Sequence, residues 1–249
     1  MMYRFYRLKI NRYKKKVLEA CNNPKTHCSI IMDGMDQNHC SIRYCGTQQK
    51  FSNPLTQAIL GVKQHGVGLT LYRTINTVKK GANLTIYCLL DQIEKWRQLR
   101  KQYPEVLFVQ CDGGSENANL YVLAVLELLC VKRFIKKIYF TRLPTRHTHE
   151  YIDACFGTIW RTWYRGKACL TLDDYSNGIV ESFIKEKSLN ASVVEVLVVP
   201  DYTSYLRYHI DQDLGNMHKS ICTMHQWRFE AVSIISPLFP FGVKTTWRA

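Results

Sequence analysis

Acidic residues are scarce in this chain. Its 249 residues hold 20 Asp and Glu against 34 Lys and Arg, a formal net charge of +14. A balance so poor in acid makes an anionic partner the expectation, nucleic acid before a membrane surface, because phosphates reward distributed cations. Long apolar runs are missing too: the best, Leu120 to Val131, is short and carries Glu127, so nothing is expected to cross a bilayer. The opening residues, Met-Met-Tyr-Arg-Phe-Tyr-Arg-Leu-Lys, lack a continuous apolar core, and no secretory signal is expected. None of the ten cysteines pair as C-x-x-C, and Cys88, Cys111, Cys130 and Cys155 fall inside apolar runs. Reduced, buried thiols in an intracellular protein, without disulfides, are the expectation. His27, Cys28, His39, Cys40 and Cys45 lie close in sequence, but their spacing matches no common zinc finger. Internal repeats and low-complexity linkers are absent. Hydrophobic residues make up 46%, which excludes a mainly disordered chain.

What is present is organised around one stretch. Val106 to Cys111 is almost entirely apolar and stops on Asp112-Gly113-Gly114. Continuous hydrophobicity without alternation suggests a strand buried on both faces. The glycines break it, and Ser115 or Asn117 can cap a helix reaching Val131. The same pattern occurs earlier, where Cys28 to Met32 runs into Asp33-Gly34. Between them, Leu55 to Val62 and Val67 to Ile75 read as two strands joined across Lys63-Gln64-His65-Gly66. A helix follows Gly81, with Ile86, Leu89, Leu90, Ile93, Trp96 and Leu99 at helical spacing. Lys137 to Leu143 reads as a further strand. A helix over about Thr148 to Tyr164 buries Ile152, Phe156, Ile159, Trp160 and Trp163, and the next begins at a capping box, Thr171-x-x-Asp174. Val193 to Val199, Trp227 to Ile235 and Val243 to Trp247 look like added strands.

The order β-β-β-α-β-α-β-α is that of the ribonuclease-H-like fold, an α/β architecture. The expected core is a mixed five-stranded sheet in order 3-2-1-4-5, flanked by helices, with extra C-terminal strands. Residues 1–24 would form a basic N-terminal helix, 25–190 the core and 191–249 an α/β extension. In that fold the first and fourth strands are neighbours, here those ending in Asp33 and Asp112. Two carboxylates at adjacent strand ends suit hard divalent cations, Mg²⁺ or Mn²⁺, and two ions about 3.5–4 Å apart support in-line phosphoryl transfer. Glu150 and Asp153 supply candidates for a third acid. His147 and His149 could bind metal or phosphate. Asp36 is a weaker ligand candidate, its alternative being a turn cap after Gly34. On the first helix, Arg12, Lys14, Lys15 and Lys16 are candidates for DNA contact, with a solvated face as the alternative. A Rossmann-like enzyme is disfavoured, since no Gly-rich phosphate loop follows the first strand.

Three blocks carry a resemblance: Asp33-Gly34-Met35-Asp36-Gln37, then Gln110-Cys111-Asp112 with Asn117, then Leu143-Pro144 with His147-Thr148-His149-Glu150-x-x-Asp153. Together, over roughly residues 15 to 210, they look like a transposon-derived eukaryotic domain family similar to DDE transposases and retroviral integrases. Gly113 stands where that family usually has Asn, and Arg146 where it usually has Gly. The resemblance implies Asp33, Asp112 and Glu150 (or Asp153) as the catalytic, metal-binding set. Two Mg²⁺ or Mn²⁺ ions, DNA (transposon ends or target) as partner, a possible homodimer and a nuclear location would follow. The expected function is two-metal cleavage or strand transfer on DNA. The alternative is an inactive derivative that only binds nucleic acid or protein.

Overall fold

The computed structural model describes residues 2–36, 40, 55–75, 78–111, 119–142, 151–165, 167–184, 190–207, 226–233 and 241–248. It is a mixed α/β structure. Along the chain come α1 (Met2–Asn22), β1 (His27–Gly34), β2 (Gln57–Gln64), β3 (Gly68–Ile75), α2 (Ala82–Arg100), β4 (Val106–Cys111), α3 (Leu120–Val131), β5 (Lys137–Arg142) and α4 (Tyr151–Ile159). A short π-helical segment (Trp160–Tyr164) follows, then α5 (Leu172–Phe183), β6 (Ala191–Val196), α6 (Tyr202–Arg207), β7 (Gln226–Ser233) and β8 (Phe241–Arg248). Hydrogen-bonded neighbours run β6-β3-β2-β1-β4-β5-β7-β8, eight strands among the described residues. This order differs from the expected five-stranded 3-2-1-4-5 sheet, because β6 adds beyond β3 and the β7–β8 pair beyond β5. The chain divides into two compact units, each discontinuous in sequence, and the division falls within β1.

The first unit comprises residues 1–30, 81–147 and 200–249. Its centre is β4, whose residues Leu107 to Cys111 are all buried, as an unbroken apolar run requires. β4 and β5 pair in parallel, Val106 opposite Lys137, while β5–β7 and β7–β8 are antiparallel. The N–H groups of Glu105 and Val106 both donate to the Thr26 carbonyl, which sets the starts of β1 and β4 side by side. On α2, Ile86, Leu89, Ile93 and Trp96 of the predicted face are buried, and Leu84 joins them, while Leu90 is half-buried and Leu99 exposed. α3 departs from expectation. It starts at Leu120, and Asn119, not Ser115 or Asn117, caps it by accepting the Val122 N–H at 3.0 Å. Several Asn and Ser residues close together leave the capping position undetermined by residue type alone.

The second unit comprises residues 31–80 and 148–199. Its hairpin, β2 and β3, is antiparallel with Gln64 opposite Gly68, and the turn uses Gly66 at φ 74°. β6 lies parallel to β3 on the other side, Leu69 opposite Ala191. The capping box on α5 is formed as expected: Asp174 N–H donates to Thr171 Oγ1 at 3.0 Å, and the Asp174 carboxylate accepts from the Thr171 N–H. The Thr171 side chain first, and then the backbone N–H groups of Thr171 and Leu170, hold the Asp174 carboxyl below the usual range by hydrogen-bonding its charged form. The helix expected through Tyr164 instead changes to π geometry at Trp160. Tyr164 and Tyr175 stack at 4.6 Å, and both phenols are pushed up by burial.

Candidate functional site

Asp33 is the penultimate residue of β1, half-buried, with its own Oδ1 accepting the Gly34 N–H at 2.7 Å. Just past the strand end the Met35 N–H donates to the Ile59 carbonyl at 2.9 Å, near the start of β2. A strand end bonded to a neighbour's start makes the pair antiparallel, and continuing the ladder from that bond sets Asp33 opposite Gly61. Opposed residues of an antiparallel pair project to the same face. The face in question belongs to α4. A Cβ at Gly61 would meet Phe156 Cζ at 2.8 Å and Ile152 Cδ1 at 2.9 Å. A side chain there would push aside the tips of Phe156 and Ile152, so glycine lets α4 lie close over this strand. Asp33 therefore lies on the sheet face that α4 covers, and Met35, two residues on, accepts from the Tyr175 hydroxyl at 3.9 Å on that face.

The first turn of α4 contributes Asp153, half-buried. It follows Ile152 by about 100° of helical rotation, so it flanks the sheet-facing stripe of Ile152, Phe156 and Ile159 instead of lying in it. Asp36 is exposed, and its carbonyl accepts from the Cys40 thiol at 3.2 Å. Asp112, Asn117, His147, His149 and Glu150 lie outside the described residues. Asp112 directly follows Cys111, the last residue of β4, which is β1's neighbour. Seven residues on from Thr26 is Asp33, and seven on from Glu105 is Asp112.

Of the basic candidates, Arg12, Lys14 and Lys15 are exposed on α1. Lys16 is not placed to meet a ligand in solvent. Its Nζ donates to Thr141 Oγ1 at 2.9 Å and sits 5.2 Å from the Tyr139 ring centroid and 5.9 Å from that of Phe108. Burial, and secondarily the Arg12 guanidinium, lowers its pKa to about 8. A cation whose folded pKa falls below the ordinary lysine value of 10.5 opposes folding while charged, so unfolding free energy should rise as pH increases from about 8 to 10.5. Lys16→Met should flatten that rise in a urea titration series. An unchanged slope would contradict the burial of the ammonium.

Neither the cysteines nor the histidines form a zinc centre among the described residues, where no three His, Cys, Asp or Glu side chains converge. His39 and Cys45 lie outside them. His27 pairs with Glu19 at 3.6 Å, and burial pushes the Cys40 thiol up to about 11, which favours the neutral form over a metal-binding thiolate. Cys21, Cys28, Cys40, Cys88, Cys111, Cys130, Cys155 and Cys169 are all free thiols, and all but Cys21 are buried. No described helix is long and apolar enough to cross a membrane.

Sequence reading missed Lys63, assigned to the turn. It is the penultimate residue of β2 and shares Gly61's face by period-two alternation. That alternation was the available signal. Its Nζ lies 4.0 Å from Cys155 Sγ and 5.3 Å from the centre of the Tyr151 ring.

No curated protein matches the chain. Residues 47–234 match the family described as a domain of unknown function, DUF7869, a span that covers β2 through β7 and most of the chain. By that match the chain belongs to the DUF7869 family.

Proposed function

We propose that this chain is a ribonuclease-H-like nuclease core that cleaves or joins DNA phosphodiesters with two divalent cations. Asp33, Asp112 and Glu150 would hold the ions, with Asp153 beside them. The observation that carries the reading is the position of Asp33: a half-buried carboxylate near a strand end, on the sheet face covered by α4, the helix that Glu150 immediately precedes. Strand order supports it, since β1 and β4 are neighbours whose starts are level and Asp112 is the next residue after β4. The donor set fits: carboxylate oxygens are the ligands hard cations prefer. When bound, such a pair of ions supplies an activated nucleophile and stabilises the leaving oxygen. The chain's own part would be to present Asp33 from the end of β1. One Asp33 oxygen, Oδ1, accepts the Gly34 N–H at 2.7 Å and so orients the carboxylate at the end of its strand.

Metal-dependent nicking of supercoiled plasmid by the purified chain tests the proposal. Nicking that needs Mn²⁺ or Mg²⁺ and is lost in Asp33→Asn supports it. No nicking in either metal, with DNA binding intact, would leave the binding-protein reading in its place. That binding should fall steeply with salt, because the excess of cations acts through phosphate neutralisation and counterion release. Charge reversal at Arg12, Lys14 and Lys15, all exposed on α1, should shallow the slope of log affinity against log salt by about 0.9 for each phosphate no longer neutralised. Filter binding at graded NaCl measures it; a slope unmoved by the triple variant would exclude α1 from the interface.

A further inference from the structure

A second site lies in the second unit. The β2–β3 turn, the first two turns of α4 and the end of α5 line an open cavity of about 220 Å³. Its walls include Lys63, Val67, Tyr151, Cys155, Thr158 and Phe183, and among the described residues no acidic one lines it. Lys63 is half-buried there. Its partners are the Cys155 thiol and the face of the Tyr151 ring, and among the described residues no carboxylate forms an ion pair with it. Neither a thiol nor an aromatic face neutralises a full charge, so an anion entering the cavity would find an ammonium with no counter-charge among the described residues. Around it the cavity is half apolar in character: Val67, Ala154 and Phe183 have side chains that offer no hydrogen bond, and the Thr158 hydroxyl already donates to the Ala154 carbonyl at 3.0 Å. One cation and apolar walls select a ligand with one negative charge and an apolar body. The volume, about seven waters' share of liquid, suits a molecule of benzoate size.

We infer that this cavity is a binding site for a small organic monocarboxylate, its carboxylate on Lys63 Nζ and its apolar body against Val67 and Phe183. The Tyr151 ring, edge-on to His65 at 5.7 Å, forms the rim. The assignment does not depend on nuclease chemistry, since neither Asp33 nor Asp153 lines the cavity. The carboxylate would sit within reach of Cys155 Sγ, so an occupied cavity should also shield that thiol.

The probe is 4-fluorobenzoate, followed by ¹⁹F NMR line broadening on the full chain, with 4-fluorobenzamide as the uncharged match. Saturable broadening by the acid, at least tenfold weaker for the amide, is expected. Lys63→Met should weaken the acid at least tenfold and leave the amide unchanged, whereas Lys63→Arg, which keeps the charge, should retain most of the affinity. In parallel, the acid should slow iodoacetamide alkylation of Cys155, read by peptide mass spectrometry, in the parent but not in Lys63→Met. Equal binding of acid and amide, equal binding by parent and Lys63→Met, or no saturable binding of the acid would each overturn the inference. Should Lys63→Met fail to fold, loss of acid binding in a folded Val67→Asp variant, which places a carboxylate in the same cavity, decides it instead. Retained binding there overturns it.

Discussion

Glu150→Gln should lose metal-dependent plasmid nicking by about 10²–10³-fold or more while its unfolding midpoint stays that of the parent, and Asp153→Asn should lose far less. The amide preserves shape and removes one anionic oxygen ligand, so it weakens a hard-cation site without opening a cavity. Glu150 is favoured because it directly precedes the first residue of α4 and carries the longer side chain. Asp153 is one residue past Ile152 on the helix and therefore flanks the stripe that packs over Gly61. From there a short carboxylate is expected to act through solvent more readily than as a direct ligand. Asp33→Asn, on the strand itself, should be as damaging as Glu150→Gln. Side-by-side assays in Mn²⁺ check the ranking. A dead Asp153→Asn with an active Glu150→Gln would exchange their roles, and full activity in both would remove α4 from the chemistry.

The parts of this fold that sequence reveals are those whose signal is local. An unbroken apolar run from Val106 to Cys111 has few interpretations besides a buried strand, and β4 is one. Thr171 and Asp174 form their capping box because both partners are three residues apart on one turn. The carboxylate at the end of β1 was legible for the same reason: an apolar run, then Asp33, then Gly34. What escaped depends on neighbours distant in sequence. β6 pairs in parallel with β3, residues 191 and 69 meeting across more than a hundred residues, and no local pattern specifies that partner. The change from α4 to π geometry at Trp160 sits inside a run whose apolar spacing reads as ordinary helix. Lys16 looked like one more cation in a basic stripe, yet Tyr139, Phe108 and Thr141 of two strands enclose it. Basic residues on a helix carry no mark in sequence that separates the one turned inward from those turned out.

Arg73 is the clearest case of a residue whose importance only the fold exposes, and it supports the second large effect. In sequence it is a cation in a strand; in the structure its side chain is 5% exposed. Its Nη1 donates to the Leu172 carbonyl at 2.7 Å and to Ser176 Oγ at 3.1 Å, and its Nη2 pairs with Glu195 at 2.9 Å. One guanidinium thereby ties β3 to β6 and to the first turn of α5. The two partners of the ion pair are not equivalent, because Glu195 remains 46% exposed. Removing Arg73 leaves a carboxylate that water can solvate. The Leu172 carbonyl keeps a donor, the Ser176 hydroxyl at 3.0 Å. Removing Glu195 instead leaves a buried charge with only neutral acceptors. Glu195→Ala should therefore cost roughly 2–3 kcal/mol, somewhat below the range for breaking a fully buried pair, since the Glu195 end is hydrated. Arg73→Met, which fills similar volume, should cost only about 1 kcal/mol, and the double variant should be no less stable than Glu195→Ala alone. Urea unfolding of the three variants measures this ordering. If Arg73→Met proves the costlier single change, the guanidinium's hydrogen bonds to α5 outweigh the pairing charge, and the buried-charge account of this junction is wrong.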